Sequence, residues 1–356
     1  MTRSATDGMP RTRYQGSKAK LVDWIGGHLA HLEFTSALDA FGGTGSVAYG
    51  LKRRGVAVTY CDLLRFNHQV GLALIENDHE QLTDEHIEFI LRRDPRQVYD
   101  DFIERTFAGI YFTDEENRFL DVACQNVGRL NGRGALYRRA LVWFALFQAA
   151  LAKRPYNLFH RRNLYMRTAD VPRGFGNKTT WERPFPEHFR RFARQAGAAV
   201  FCGAAPCRAI CDDASQAPLG AAPDRPYDLV YIDPPYVNAR GVGLDYLGFY
   251  HFLEGMVDYD RWPERIDWSS RHRRLIPQPS PWLSAATARD AFARLFERFH
   301  RSVLVVSYRS DGAVTPEELA ALLRAVKHEV RVFQSPRYKY VLSTNQESRE
   351  LLLIGT

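Results

Sequence analysis

Ala37-Leu38-Asp39-Ala40-Phe41-Gly42-Gly43-Thr44-Gly45-Ser46-Val47-Ala48-Tyr49-Gly50-Leu51-Lys52-Arg53 reads as a short strand, a glycine turn and the opening of a helix. That order is the geometry of the nucleotide crevice in a doubly wound α/β sheet. Glycines let backbone approach a ligand closely, and the N-terminus of the following helix offers unpaired N–H groups. Next, Val56-Ala57-Val58-Thr59-Tyr60-Cys61 reads as a second strand ending in Asp62. A carboxylate at that strand end is placed to accept hydrogen bonds from both hydroxyls of a ribose; the blander alternative is a helix cap. Gly42 to Gly45 lacks the G-x-G-x-x-G spacing of dinucleotide oxidoreductases.

A second strand end carries the chemistry. The apolar run Leu229-Val230-Tyr231-Ile232 leads directly into Asp233-Pro234-Pro235-Tyr236, and in open α/β sheets ligands bind beyond the carboxyl ends of the strands. Two prolines fix φ twice and remove two N–H donors. The result is a stiff segment with an outward Pro234 carbonyl, a carboxylate and an exposed aromatic face. That set suits a planar exocyclic amine, which donates two hydrogen bonds while its ring is stacked. Taken alone the four residues are equally compatible with an ordinary strand-to-loop turn; the glycine loop upstream, in the right order, favours chemistry.

With these motifs in place, the chain resembles the Dam-like (D12, or alpha) adenine-N6 DNA methyltransferases. Arg13-Tyr14-Gln15-Gly16-Ser17-Lys18-Ala19-Lys20 matches that family's N-terminal motif for the methionine end of S-adenosylmethionine, and Asp39 to Val47 matches its glycine loop. Asp62 falls on the ribose-binding acid and Asp233 to Tyr236 on the catalytic motif. Val303 to Tyr308 and Glu350 to Ile354 resemble its next and closing strands. The resemblance implies a Rossmann-like class I methyltransferase sheet with a largely helical target-recognition insert. It implies S-adenosylmethionine held by Tyr14, Gly16, Ser17, Lys18, Asp39, Phe41, Gly43, Gly45, Ser46, Asp62 and Asp233, with Asp213 (or its neighbour Asp212) at the cofactor adenine. Catalysis is expected from Asp233, Pro234, Pro235 and Tyr236, with no metal. Cytosine-N4 or RNA methylation is the alternative chemistry, although Asp233 favours adenine. A non-catalytic DNA-binding protein that has kept the fold is the alternative of another kind.

At 356 residues the length allows one large domain with an insert, or two domains. We expect a discontinuous catalytic domain over 1–74 and 196–356, a basic helical insert over 75–195 and an active-site, DNA-facing loop region over 237–284. Five cysteines, an odd count without a Cys-x-x-Cys pair, argue for a reduced, cytoplasmic protein. Cys207 and Cys211 lack the partner pair a zinc site needs. The longest apolar run, Ala140 to Ala152, contains Gln148 and is too short to span a bilayer, so a soluble protein with a buried helix there is expected. A short strand near Ala199-Val200-Phe201 is expected to bring the chain back to the sheet, and Tyr338 and Tyr340 alternate like an exposed strand face.

Charge is uneven. From Arg129 to Arg194 fifteen Lys or Arg oppose Asp170, Glu182 and Glu187, giving 15 − 3 = +12, while the whole chain is +7 and the remainder therefore 7 − 12 = −5. Lys153, Arg154, Tyr156, Asn157, Arg161, Arg162 and Asn163 combine phosphate-seeking cations with groups that read base edges. Arg173 and Lys178 bound a glycine-containing basic loop, and Asn238 opens a second loop beside Asp233. These are the expected contacts to double-stranded DNA. The alternative is a solvated basic face, and the insert position favours DNA. The family resemblance further implies a role in restriction-modification or as a solitary methylase, with a restriction endonuclease or defence-system protein as a possible partner and no membrane.

Overall fold

The computed structural model describes residues 4–170, 178–238, 240–335 and 348–356. Seven strands make one sheet: β1 Ser36–Asp39, β2 Ala57–Asp62, β3 Arg208–Cys211, β4 Leu229–Ile232, β5 Val303–Arg309, β6 Val330–Gln334 and β7 Glu350–Gly355. Their spatial order is β3-β2-β1-β4-β5-β7-β6. All neighbouring pairs are parallel except the two that β7 makes, which are antiparallel. This is a mixed α/β fold of the doubly wound kind. Every residue of β1 and of β4 is buried, as central parallel strands covered on both faces require. Asp228 fixes their start, accepting from the backbone N–H groups of Thr35 (2.8 Å) and Ser36 (2.9 Å).

The strand order reverses between β1 and β4, so the crevice for a ligand opens at the carboxyl ends of these two strands. Ala37 to Asp39 pair with Leu229 to Tyr231, which sets Asp39 beside the Asp233 strand end. The antiparallel direction of β7 has a consequence of its own. It brings the first residue of that strand, Glu350, opposite Arg309 at the carboxyl end of β5, on the same edge as the crevice.

Apolar side chains form a core on each face of the sheet and a third among the helices. The Ala135–Ala152 helix is buried from Ala140 onward, as its apolar run predicts, and no helix among the described residues is long and apolar enough to cross a membrane. Two expectations need correction. No strand forms near Ala199-Val200-Phe201: the Phe185–Ala199 helix consumes the apolar residues, and the chain rejoins the sheet only at Arg208. The 237–284 region is not chiefly a loop. It contains the Tyr246–Val257 helix, whose Tyr250, Phe252, Leu253 and Met256 are buried in the same core as the helices of 84–199. Trp262 from the same region is fully buried against Gly255, where any Cβ would lie 1.9 Å from its ring. Tyr338 and Tyr340 lie outside the described residues.

Candidate active site

The two strand ends share one cavity, lined by Asp39, Phe41 and Gly43 from the turn after β1, by Asp62 after β2, and by Asp233 to Tyr236 after β4. Tyr14, Gly16 and Lys18 from the N-terminal motif, Ser46 from the helix start and Asp213 after β3 line the same space. Asp213 reaches it and Asp212 does not. Ser17 and Gly45 stand behind the lining: Ser17 Oγ is 3.2 Å from Thr44 Oγ1, tying the N-terminal motif to the glycine turn.

Local sterics explain why two of these turns need glycine. Gly16 has φ +84, and a Cβ there would sit 2.4 Å from Tyr246 Oη. Gly42 lies against the Tyr60 ring, 2.1 Å from where its Cβ would be, while the Tyr60 hydroxyl donates to the Gly43 carbonyl at 2.7 Å. Tyr14 stacks against both Tyr250 (4.6 Å, 9°) and Tyr246 (5.6 Å, 2°), forming an aromatic wall beside the cavity. Neither Tyr246 nor Tyr250 was anticipated from sequence; their only signal is i, i+4 spacing on a helix whose position is a tertiary fact.

At the catalytic motif only 13% of the Asp233 side chain is exposed. Lys18 Nζ donates to both of its carboxylate oxygens, each at 2.7 Å, and to Tyr236 Oη at 2.6 Å. The Tyr236 hydroxyl donates to Glu350 Oε1 at 2.6 Å, with Asp233 Oδ1 as a longer alternative at 3.0 Å. Glu350, completely buried, also accepts from Ser307 Oγ at 2.7 Å and lies 3.4 Å from Lys18 Nζ. Burial raises the Asp233 pKa to about 6, with Lys18 pulling it down and Glu350 pushing it further up. Lys18 thus ties the N-terminal motif directly to the Asp233 strand end. The Tyr236 face is not exposed as expected: it keeps 7% of its surface, toward the cavity, because Tyr308 packs edge-on at 5.2 Å. Glu350 escapes a reading of the sequence because its place depends on the antiparallel direction of β7.

The remainder of the cavity fits an adenosyl sulfonium ligand. Among the described residues the buried Asp39 has no hydrogen-bond partner for its Oδ1, and burial, then the Asp233 charge, lifts its pKa to about 7. A buried acceptor of this kind calls for a donor or cation that the protein does not itself provide. Asp62 accepts from Gly43 N (2.8 Å), Leu64 N (2.9 Å) and Asn67 Nδ2 (3.2 Å), which fix its carboxylate at the cavity wall with lone pairs to spare for hydroxyls. Burial nevertheless pushes its pKa up.

The expected DNA contacts divide. Lys153, Arg154 and Asn163 are buried and committed to the fold, which corrects their assignment to phosphate and base contacts. Lys153 Nζ donates to the Trp181 and Arg183 carbonyls and lies 2.8 Å from Glu116. Arg154 donates to the carbonyls of Leu158, Arg161 and Tyr111 and stacks on the Tyr111 ring. Asn163 Nδ2 donates to Pro155 O. By contrast Arg161 and Arg162 are exposed, and Tyr156 is 65% exposed. Tyr156 and Asn157 hold φ of +63 and +56, the left-handed region that non-glycine residues seldom enter. Lys178 is exposed, 3.6 Å from Glu182. Asn238 Oδ1 accepts from Arg240 N and Val242 N, closing its own turn. Arg173 lies outside the described residues.

Comparison with known proteins bears on the same residues. The type II methyltransferase M2.HphI of Haemophilus parahaemolyticus is 27% identical over 353 residues, covering 97% of this chain and 96% of its own. The type II methyltransferase M.FokI of Planomicrobium okeanokoites is 32% identical over 126 residues, 35% of this chain but only 18% of that protein. A solved rRNA methyltransferase, aviRa from Streptomyces viridochromogenes, aligns at a TM-score of 0.31 and 14% identity over 99% of this chain and 94% of its own, too slight a likeness to bear on the fold. The sequence profile of the D12 class N6 adenine-specific DNA methyltransferases matches residues 14–173, from the N-terminal motif through the glycine turn into the helical region. By these matches, and with the acid-proline-proline-tyrosine strand end facing the glycine turn across one cavity, the chain is similar to the D12 class of N6 adenine-specific DNA methyltransferases, most directly over residues 14–173.

Proposed function

We propose that this S-adenosylmethionine-dependent enzyme methylates the N6 amine of one adenine within a specific site of double-stranded DNA, and that Asp233 is the residue on which transfer depends. The observation that carries the proposal is the Asp233 carboxylate at the switch-point cavity, nearly enclosed yet held by Lys18. S-adenosylmethionine, when bound, supplies an electrophilic methyl group. Tyr14, Gly16, Asp39, Phe41, Gly43, Ser46, Asp62 and Asp213 would hold it, the acids taking its ammonium and hydroxyl donors.

The target base must leave the duplex stack, at a cost of a few kcal/mol. A ring stacked on Tyr236 offsets part of that, such contacts being worth about 1–3 kcal/mol. The amine is a weak nucleophile because its lone pair is delocalised into the ring. Donation of its two protons to Asp233 and to the Pro234 carbonyl favours a tetrahedral nitrogen with a localised lone pair. These preorganised acceptors act most strongly as positive charge develops there. Lys18 keeps Asp233 ionised against its burial, and Glu350 fixes Lys18 and Tyr236. With a pKa near 6, Asp233 is matched to receiving the amine proton after transfer near neutral pH.

The similarity to type II methyltransferases supports a role in restriction-modification, with a cognate endonuclease as the functional counterpart. Arg161, Arg162, Tyr156 and Lys178 remain the exposed insert residues suited to DNA. The decisive experiment is mass spectrometry of nucleosides from DNA incubated with S-adenosylmethionine and the protein, beside Asp233→Ala. N6-methyladenine is expected with the intact protein only. N4-methylcytosine instead would overturn the base assignment, and equal product from Asp233→Ala would overturn the residue's role.

A further inference from the structure

Beyond the insert, the chain builds a second basic element after the catalytic motif. Ile266 and Leu275 form an antiparallel bridge, clasped by Asp267 N donating to Arg274 O (2.8 Å) and Ile276 N to Arg265 O (2.8 Å). Both bridge residues are buried in the helical core, so the hairpin stands on a rigid base. Its tip is of opposite character. Trp268 is 53% exposed, Arg271 and Arg274 are exposed, and Arg273 donates to the Trp268 carbonyl at 2.7 Å with its guanidinium 5.4 Å from the Trp268 ring. Arg273 holds φ of +54, and strained backbone of this kind persists where surrounding structure imposes it, often at functional sites.

Three further observations point to an anionic partner. Arg271, Arg274, Arg161 and Arg162 form no ion pair among the described residues, whereas the neighbouring Arg265 is paired with Asp258 at 2.8 Å. The one acid of the tip, Asp267, is occupied by Ser269. From Asp267 to Ile276 the charge is 3 − 1 = +2, and Arg161 with Arg162 raises the surface to +4. Second, the two basic segments are tied together: Tyr111 Oη lies 2.7 Å from Phe159 O and 2.9 Å from His272 O. Burial and then the charges of Arg274 and Arg162 hold the His272 pKa down, as expected for groups sharing one surface. Third, the hairpin is adjacent to the cavity mouth. Leu275 is three residues before Gln278, which lines the cavity, and an extended chain spans at most about 3.6 Å per residue. The hairpin base is therefore within about 11 Å of that rim, less than the roughly 12 Å width of a major groove.

We propose that the Ile266–Leu275 hairpin, with Arg161 and Arg162, grips duplex DNA beside the target adenine. Arg271 and Arg274 contact phosphates, and Trp268 packs against the sugar or base edge of the same stretch. The inference rests on the reading of the cavity as a DNA adenine-methylation site.

The test uses the full chain, a short fluorescein-labelled random-sequence duplex and anisotropy over a range of salt. Arg271→Gln with Arg274→Gln is expected to weaken duplex binding and lower the slope of log affinity against log salt by about one per arginine. Trp268→Ala is expected to weaken binding without changing that slope. Both variants should bind S-adenosylmethionine like the wild type by calorimetry. Because these side chains are exposed, an unchanged melting temperature is expected, and single substitutions report if the double one is unstable. Wild-type affinity and salt slope in all variants would overturn the proposal, as would tighter hairpin-dependent binding of single-stranded RNA than of duplex. If the hairpin variants lose duplex binding but the intact protein makes no methyladenine, the surface stands and the catalytic reading fails. If methylation proceeds normally in the variants, the reverse holds.

Discussion

In the proposed reaction Asp233 meets two opposing demands, to be ionised when the amine arrives and yet enclosed enough to exclude water. Burial lifts its pKa to about 6, Lys18 opposes the rise, and Glu350 adds to it. Since only the ionised carboxylate can accept strongly from the amine and then take its proton, kcat should rise as pH rises through about 6 and level above it. Glu350→Gln keeps the hydrogen bonds of Tyr236 and Ser307 within reach but removes a like charge. The acidic limb of the kcat profile should therefore move to lower pH, with S-adenosylmethionine affinity unchanged; an unshifted limb would dismiss Glu350 as a positioning residue. Asp233→Ala should cost about 10²–10³ in kcat, the range seen when one preorganised partner is removed from a charge-developing centre. Asp39 makes a stability prediction. Its folded pKa of about 7 lies above the ordinary 3.8, so its favourable contribution is full below about pH 4 and lost as pH rises through about 7. In the cofactor-free protein Asp39→Asn should flatten the fall in melting temperature over that window; parallel melting curves against pH would refute this.

At the level of elements, what a sequence reveals depends on whether a residue's fate is local. The strands Ser36–Asp39, Ala57–Asp62, Leu229–Ile232, Val303–Arg309 and Glu350–Gly355 were legible because strands covered on both faces need largely apolar runs, whichever direction they pair in. Arg208–Cys211 was not, since its charged and half-exposed residues give no such run, while the apolar end of the Phe185–Ala199 helix imitates one. Gly16 was legible as a motif glycine, but its steric reason was not: the Tyr246 hydroxyl arrives from a helix two hundred and thirty residues away. That reason is testable. Gly16→Ala should weaken S-adenosylmethionine binding through both the clash and the positive φ. Adding Tyr246→Phe should restore part of the affinity, leaving only the backbone strain of about 1 kcal/mol. Calorimetry showing no recovery in the double variant would separate Gly16 from Tyr246.

Across the whole molecule the +12 stretch divides into buried and exposed cations, and the sequence could show its charge but not the division. Whether a cation faces solvent or core depends on partners contributed by distant helices. Glu116, from the Asp114–Arg129 helix, lies 2.8 Å from Lys153 and 2.6 Å from Arg167. Although burial pushes its carboxyl up, these two cations hold it below its ordinary value. Among the described residues Arg154 pairs with no carboxylate and instead satisfies three carbonyls in a fully buried place, where desolvation pulls its pKa down to about 9. These cations join the helical segments into one body, whereas Arg161 and Arg162 project from it. Lys153→Met leaves Glu116 with one cation in a buried setting, and breaking such a pair costs about 3–5 kcal/mol. The melting temperature should drop by several degrees while the folded fraction keeps its affinity for duplex and its salt slope. Arg161→Glu with Arg162→Glu should do the opposite, sparing stability and weakening duplex binding, most steeply at low salt. Calorimetric melting and anisotropy on the same samples decide the matter. Equal loss of stability in both variants, or equal loss of DNA binding, would mean that buried and exposed cations are not divided between fold and ligand as the structure divides them.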